Sequence, residues 1–282
     1  MSGKTCLITG SSRGLGKYLA NFFLKTGHDL ILVSSQKENL EKTHKEFIKK
    51  HKQQVHIVDV DLSKDGFEKE LFRRIDGLNT HVSILVNNAA IQGPIGPFLE
   101  SSSAEWKRTF NINLFAPAII SSEIVKRMDN KGGTILNISG GGAAGLRPNF
   151  SAYASSKTAL VRFSETLAAE LKSQNINVNA IAPGSMPTDM LKEVVSLSPK
   201  EVGEEEFENA SRVLSEEGDM EIVAKLCYFL CYEGRNITGR FISAKWDNWS
   251  EWNNYLDELN FTDLYTLRRI IGKDRGKTWG DK

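Results

Sequence analysis

The sequence predicts a doubly wound parallel α/β sheet with helices on both faces, in a single domain. Two observations carry this reading. Short β-rich runs alternate with amphipathic stretches along the chain, and each run reads as a buried strand followed by a turn or loop. The length of 282 residues, with 40% hydrophobic and 25% charged residues, suits one large α/β unit, and no internal repeat or low-complexity linker divides it.

Six runs read as strands in order: KTCLITG from residue 4, DLILVSS from 29, VHIVDVDL from 55, SILVNNAA from 83, GTILNIS from 133 and INVNAIAPG from 176. Helical stretches lie between them, among them GLGKYLANFFLKTG from residue 14, KENLEKTHKEFIKKH from 37 and SAYASSKTALVRFSETLAAELKSQ from 151. The acidic segment 198–219 is more polar than its surroundings and is expected to form, within residues 188–220, a lid over the site. Residues 1–243 form the expected domain, and 244–282 are an extension that holds Trp246, Trp249, Trp252 and Trp279, four of the five tryptophans.

Composition excludes several function classes. Lys+Arg 36 against Asp+Glu 35 leaves a net charge of +1, which gives no hold on nucleic acid. No apolar run approaches the roughly 20 residues that cross a bilayer, and MSGKTCLITG enters a strand without the pattern of a signal peptide. Cys6, Cys227 and Cys231 are too few and too scattered for a disulfide framework, and Cys227 with Cys231 lacks further ligands for a metal. A reduced cytoplasmic protein without a metal site is expected.

TGSSRGLG, residues 9–16, follows the first strand and opens the first helix. Gly10, Gly14 and Gly16 there let the backbone turn tightly and approach a pyrophosphate, which the N–H groups and positive dipole end of the helix would hold. Tight turns also use glycine for backbone reasons alone, but the strand-to-helix position favours the phosphate reading. Further on, Tyr153 and Lys157 are four apart among good helix formers, which places both on one helix face one turn apart. A free tyrosine titrates near 10, and an ammonium one turn away favours the phenolate, so the pair suits proton transfer at neutral pH. The structural alternative is a core tyrosine beside a surface lysine.

The glycine spacing G-x-x-x-G-x-G resembles that of the short-chain dehydrogenase/reductase family, and further motifs follow in register. Asn87 to Ala90 (NNAA), Asn113 in NINLFAP, Tyr153-x-x-x-Lys157, PGSMPT from Pro183 to Thr188 and NITG from Asn236 together cover residues 3 to about 243. The resemblance implies a Rossmann fold that binds a nicotinamide dinucleotide, and it implies dimers or tetramers. Gly10, Ser12, Arg13, Gly14, Leu15 and Gly16 would then hold the pyrophosphate side. Asp61 and Leu62 would contact the adenine, Asn88, Ala89 and Ala90 would line the next loop, and Pro183, Gly184, Met186 and Thr188 would cup the nicotinamide. The acid that marks NAD at the end of the second strand is replaced by Ser34, while Arg13, Ser35 and Lys37 suit a 2′-phosphate. NADP(H) is therefore expected ahead of NAD(H), with Arg13 and Lys37 as solvated surface charges the alternative.

In the family, the lysine also holds the nicotinamide ribose, the tyrosine gives its proton to the substrate oxygen, and Asn113 would complete a relay by bending its helix and holding a water. The family usually supplies a serine hydroxyl at the end of the fifth strand. Here the chain reads Asn137-Ile138-Ser139-Gly140, and counting from the strand and back from Tyr153 both put Gly140 at that position. Ser139 stays beside the site as a catalytic candidate, but neighbouring strand residues point to opposite faces, so its hydroxyl enters only if the loop twists it in. Three meanings stay open: Tyr153 works as the only side-chain donor, backbone N–H groups of Gly140 to Gly142 replace the hydroxyl, or the protein binds cofactor without catalysis.

The expected activity is interconversion of a carbonyl and a secondary alcohol. A sugar-derived substrate is suggested by the polar lid, the site opened by Gly140 and a tail similar to that of reductases associated with bacterial surface polysaccharides. The tail's aromatic residues either dock it on the protein or stack on a sugar ring. A non-catalytic NADP(H) sensor is the rival reading. A nucleotide-sugar epimerase is disfavoured by the glycine spacing.

Overall fold

The computed structural model describes residues 4–128, 131–216 and 218–279. Its strands are β1 (Thr5–Thr9), β2 (Asp29–Ser34), β3 (Val55–Asp59), β4 (Val82–Asn87), β5 (Gly133–Ile138), β6 (Ile176–Ala182) and β7 (Phe241–Ser243). They form one sheet in the order β3-β2-β1-β4-β5-β6-β7 with every pairing parallel. The chain runs outward from β1 to β3, then returns to lay β4 on the other side of β1. This reversal leaves a crevice outside the carboxyl ends of β1 and β4, where sheets of this kind take their ligands.

Strand alternation decides which helices cover which face. Cys6, Ile8, Leu30, Leu32, Ile84 and Val86 face one side, where they meet α1 (Gly14–Lys25), α2 (Lys37–Lys50) and α10 (Met220–Tyr232). Leu7, Ile31, Val33 and Leu85 face the other, against α3 (Phe67–Asp76), α5 (Ala116–Arg127) and α6 (Ser151–Leu171). Both faces are therefore buried, which is why the strands read as apolar runs.

α4 (Ser103–Phe110) starts where Ser102 accepts the Glu105 N–H, and it runs into a π turn at Asn111–Phe115 before α5. Pro117, in the first turn of α5, has no N–H to offer the Asn113 carbonyl four residues back, so the regular ladder is interrupted at Asn113. Residues 189–215 form α7 (Asp189–Val195), α8 (Pro199–Val202) and α9 (Glu204–Ser215). Leu191, Val194, Val202, Ala210 and Val213 of these helices pack on Phe150 and Tyr153, so this helical cap covers the start of α6.

The tail folds back on the domain. A 3-10 turn at Trp249–Tyr255 and α11 (Leu256–Phe261) set Trp252 and Leu259 into the core face beside α10. Trp252 lies 4.2 Å from the Tyr265 ring and Trp249 lies 5.3 Å from Phe229. Arg240, almost wholly buried, donates to the carbonyl oxygens of Leu259, Thr262 and Leu264 and so ties β7 to the tail. All three cysteines are free and buried. Among the described residues, no helix is long and apolar enough to cross a membrane and no group of side chains could hold a metal ion.

Candidate active site

The loop between β1 and α1 is shaped by its glycines. Gly10 and Gly14 adopt left-handed φ values of 65° and 52°, and a Cβ on Gly16 would run into the Gly10 carbonyl oxygen. Arg13 caps α1 without a side-chain hydrogen bond, and the first turn holds no acid. The N–H groups of α1 thus remain available to an anion at the cleft. Asn88 clamps the loop: its Nδ2 donates to the Thr9 and Gly10 carbonyl oxygens (3.0 and 3.2 Å), while Thr9 Oγ1 accepts the N–H groups of Asn88 and Ala89 at 3.0 Å each.

At the end of β2, Ser34 Oγ and Ser12 Oγ share a hydrogen bond of 2.9 Å, and Ser34 Oγ also accepts the Gln36 N–H at 3.1 Å. Ser34 therefore fastens the phosphate loop to the turn after β2, and Ser35 lies exposed beyond it. Arg13 pairs with Asp189 at 3.0 Å, but both side chains are about half exposed (54% and 47%), so the pair holds the guanidinium only weakly. Burial pushes the Asp61 carboxyl up, yet the N–H and hydroxyl of Ser63 outweigh it, and Asp61 titrates below its ordinary value.

The candidates of the phosphate loop and of the loop after β6, with Ser34, Ser35, Asp61, Leu62, Asn88 to Ala90, Tyr153, Lys157 and Ser139, line one cleft of about 760 Å³, whereas Lys37 is exposed outside its lining and Asn113 lies behind it. This volume, the glycine-lined backbone and the uncapped α1 fit a dinucleotide pyrophosphate with its two ribosides. Pro183, Gly184, Met186 and Thr188 form the wall after β6, where Gly184 takes φ 82°.

Tyr153 and Lys157 stand one turn apart on α6 and are both buried at the cleft. The Tyr153 phenolic oxygen reaches Gly140, within contact of where a side chain there would begin. Lys157 Nζ donates to the Ile138 carbonyl oxygen at 2.7 Å and lies 5.8 Å from the Tyr153 ring centre. Burial pushes the Lys157 ammonium down to about 7. Burial likewise pushes the Tyr153 phenol up, with Arg147 opposing and Glu206 adding to the rise. The direction is opposite to the depression expected from the sequence, because desolvation of the buried phenol is the largest influence on it.

Asn113 is fully buried. Its amide exchanges hydrogen bonds with the Ile91 backbone, accepting the N–H at 3.0 Å and donating to the carbonyl at 2.9 Å, and it also donates to Ser156 Oγ at 3.0 Å. Ser156 Oγ in turn donates to the Tyr153 carbonyl at 2.7 Å, so Asn113 joins the loop after β4 to the turn that carries Tyr153. Ser139 turns its hydroxyl to the Lys157 carbonyl oxygen (3.4 Å), toward the α6 backbone. The loop does not twist it toward the phenol; Gly140 is the residue that faces Tyr153.

The sequence reading missed Arg147, Gln92 and Glu206, which meet over Tyr153 on the cap side of the cleft. An arginine in a glycine-rich loop reads as solvated; only the fold brings it under α9.

Residues 4–198 match the family model described as short chain dehydrogenase. The chain belongs to the short-chain dehydrogenase family. A 3-oxoacyl-(acyl-carrier-protein) reductase of Aquifex aeolicus is 31% identical over 86% of this chain and 96% of its own length. The L-sorbose reductase of Gluconobacter frateurii, solved with NADPH and L-sorbose, is 28% identical with a TM-score of 0.75, over 86% of this chain and 95% of that one. A 4-hydroxyisoleucine dehydrogenase complexed with NADH, also 28% identical, has a TM-score of 0.73 over 86% and 96% of the two chains. This short-chain dehydrogenase is accordingly an oxidoreductase of that family, and these complexes support a nicotinamide cofactor in its cleft.

Proposed function

We propose that this short-chain dehydrogenase interconverts a carbonyl compound and a secondary alcohol with NADP(H). The observation that carries the reading is the convergence of the Tyr153 phenol, the Lys157 ammonium and the uncapped α1 on one cleft. The dinucleotide, when bound, supplies or accepts the hydride. Tyr153 donates its proton to the substrate oxygen during reduction and takes it back during oxidation. Lys157, with its proton held at about 7, exchanges a proton readily at neutral pH and orients the ribose beside Tyr153. Asn113 fixes the turn under Tyr153 through Ser156, and Pro117 cannot supply the regular helical N–H to its backbone carbonyl.

The preference for NADP(H) rests on the end of β2. No carboxylate stands at Ser34, Ser35 or Gln36, and the guanidinium of Arg13 can leave its weak pair with Asp189 for a 2′-phosphate. The exposed apolar side chains of Phe98, Leu99 and Phe115 support self-association as a dimer or tetramer.

The test is NADPH oxidation across a panel of ketones, aldehydes and keto-sugars, with Tyr153→Phe as the control. Expected is turnover that falls by about 10²–10⁴ in the control while NADPH binding, read by fluorescence, persists. The specific observation for a sensor is Gly140, which leaves no hydroxyl at that position. Tight NADPH binding without turnover on any compound would establish that reading instead.

A further inference from the structure

Leu191, Val194, Val202 and Val213 make the cap apolar where it packs on Tyr153, and a polar wall lies beyond the tyrosine. There the Arg147 guanidinium lies 3.8 Å from the Phe150 ring centre and 5.2 Å from that of Tyr153, with its side chain 13% exposed. Its Nε and Nη2 both donate to Glu206 Oε1 on α9 (3.1 and 2.5 Å), and Nη1 donates to Gln92 Oε1 at 3.2 Å. Gln92, buried in the loop after β4, donates its own amide to the Met190 carbonyl at 3.4 Å. Three segments distant in sequence thus meet over the tyrosine with matched donors and acceptors.

Two groups on this wall keep unused capacity. Glu206 Oε2 accepts no hydrogen bond among the described residues, and the Asn209 amide nitrogen donates none, its Oδ1 being taken by Arg212 at 2.8 Å. Glu206 and Asn209 are three apart on α9, hence on one face, and both line the cleft. The wall therefore offers one acceptor, the Glu206 carboxylate that the buried Arg147 holds near Tyr153, and one donor farther out, on the exposed Asn209.

We infer that this wall selects the substrate, and that it takes a neutral carbonyl compound bearing hydroxyl groups, such as a small ketose. The inference rests on the oxidoreductase reading of Tyr153 given above. Charge decides against an anionic substrate: Arg147 is already neutralised by Glu206, so a carboxylate or phosphate must break that pair and face the displaced carboxylate. Hydrogen bonding decides against a plain ketone, which would desolvate the partly buried Glu206 Oε2 without giving it a donor, at a cost of about tenfold in selectivity; the exposed Asn209 amide adds a partner for a hydroxyl rather than a penalty. A hydroxyl both donates to the carboxylate and accepts from the amide.

The test compares kcat/KM with NADPH for dihydroxyacetone and fructose against 2-butanone and pyruvate. In the wild type, at least one hydroxylated ketone exceeds both others by about tenfold or more. Glu206→Gln frees the guanidinium, so pyruvate gains relative to dihydroxyacetone by about tenfold, chiefly through KM; Asn209→Leu narrows the gap between dihydroxyacetone and 2-butanone. NADPH titration by fluorescence establishes that each variant is folded, and the wild-type comparison stands without any variant. Wild type that reduces 2-butanone as well as the hydroxylated ketones, or folded Glu206→Gln with unchanged ratios, overturns the inference and leaves the proposed function intact. Wild type inert toward every carbonyl of the wider panel overturns both.

Discussion

The phenolic oxygen of Tyr153 occupies the space into which a side chain on Gly140 would grow. A Cβ on Gly140 would also come within 3.3 and 3.5 Å of Tyr153 Cζ and Cε1. The tyrosine cannot easily retreat, because it is packed under Leu191, Val194 and Val202 of the cap. Glycine at this position is thus a packing requirement of the tyrosine that faces it. Gly140→Ser and Gly140→Ala are expected to lower kcat by about 10- to 100-fold, the effect of displacing a reacting group by about 1 Å, with NADPH affinity within about twofold of wild type. A rise in kcat for Gly140→Ser would sink the packing account and make the glycine a plain loss of a hydroxyl.

Ser34 joins the cofactor question to the architecture of the loop. Its hydroxyl bridges Ser12 Oγ and the Gln36 N–H, contacts that an aspartate can also accept. Ser34→Asp should therefore fold, while placing a carboxylate where a 2′-phosphate would lie. The expected outcome is a drop of at least about tenfold in kcat/KM with NADPH and a gain with NADH. Steady-state kinetics with both cofactors checks this; an unchanged ratio would mean that the 2′ position is read elsewhere.

The tail gives a stability prediction. Trp252 is buried against Tyr265, and Arg240 holds three tail carbonyls from inside the domain. Trp252→Ala removes the aromatic anchor, at a cost of about 3–5 kcal/mol, which corresponds to a fall in Tm on the order of 10 °C. Trp246, 72% exposed at the cleft rim, should shift Tm little when changed to alanine. Thermal melts of the two variants separate the roles, and equal shifts would refute the assignment of Trp252 as anchor.

Much of the fold was legible because both sheet faces are covered: runs such as ILVNN and GTILNIS carry no polar alternation to confuse with a loop. The phase of β5 also placed Gly140 toward Tyr153, as strand alternation requires. Three further features differ in how local their cause is. The helix bend expected at Asn113 takes the form of a π turn at Asn111–Phe115, with Pro117 as its local cause. The Arg147–Glu206 pair spans 59 residues and exists only once α9 folds over the cleft. Trp246, Trp249 and Trp252 recur every three residues, and a 3-10 turn that begins at Trp249, in which such positions eclipse, puts Trp249 and Trp252 inward while Trp246, before it, stays out.

Lys157 gives the cofactor-free fold a pH dependence of definite sign. Burial holds its pKa at about 7 in the folded chain, whereas an unfolded lysine keeps its proton to about pH 10.4. Below pH 7 both states are protonated and the cost of burying the charge is felt in full. Above it the folded state releases the proton and the unfolded state does not, so stability rises with pH, by up to about 1.4 kcal/mol per pH unit. His28 and His51, also depressed by burial, contribute a rise of the same sign but complete it by about pH 6.5. The buried thiols of Cys6, Cys227 and Cys231 are pushed up by burial, so they ionise first in the unfolded chain and lower stability above about pH 8.5. Tm should therefore climb between pH 7 and about 8.5 and turn over beyond it. Lys157→Met, with no proton to release, should lose the climb and keep the alkaline fall. Calorimetry in half-unit pH steps on both proteins is the measurement; a climb that survives in Lys157→Met would show that the lysine stays charged in the fold and that another group titrates in this window.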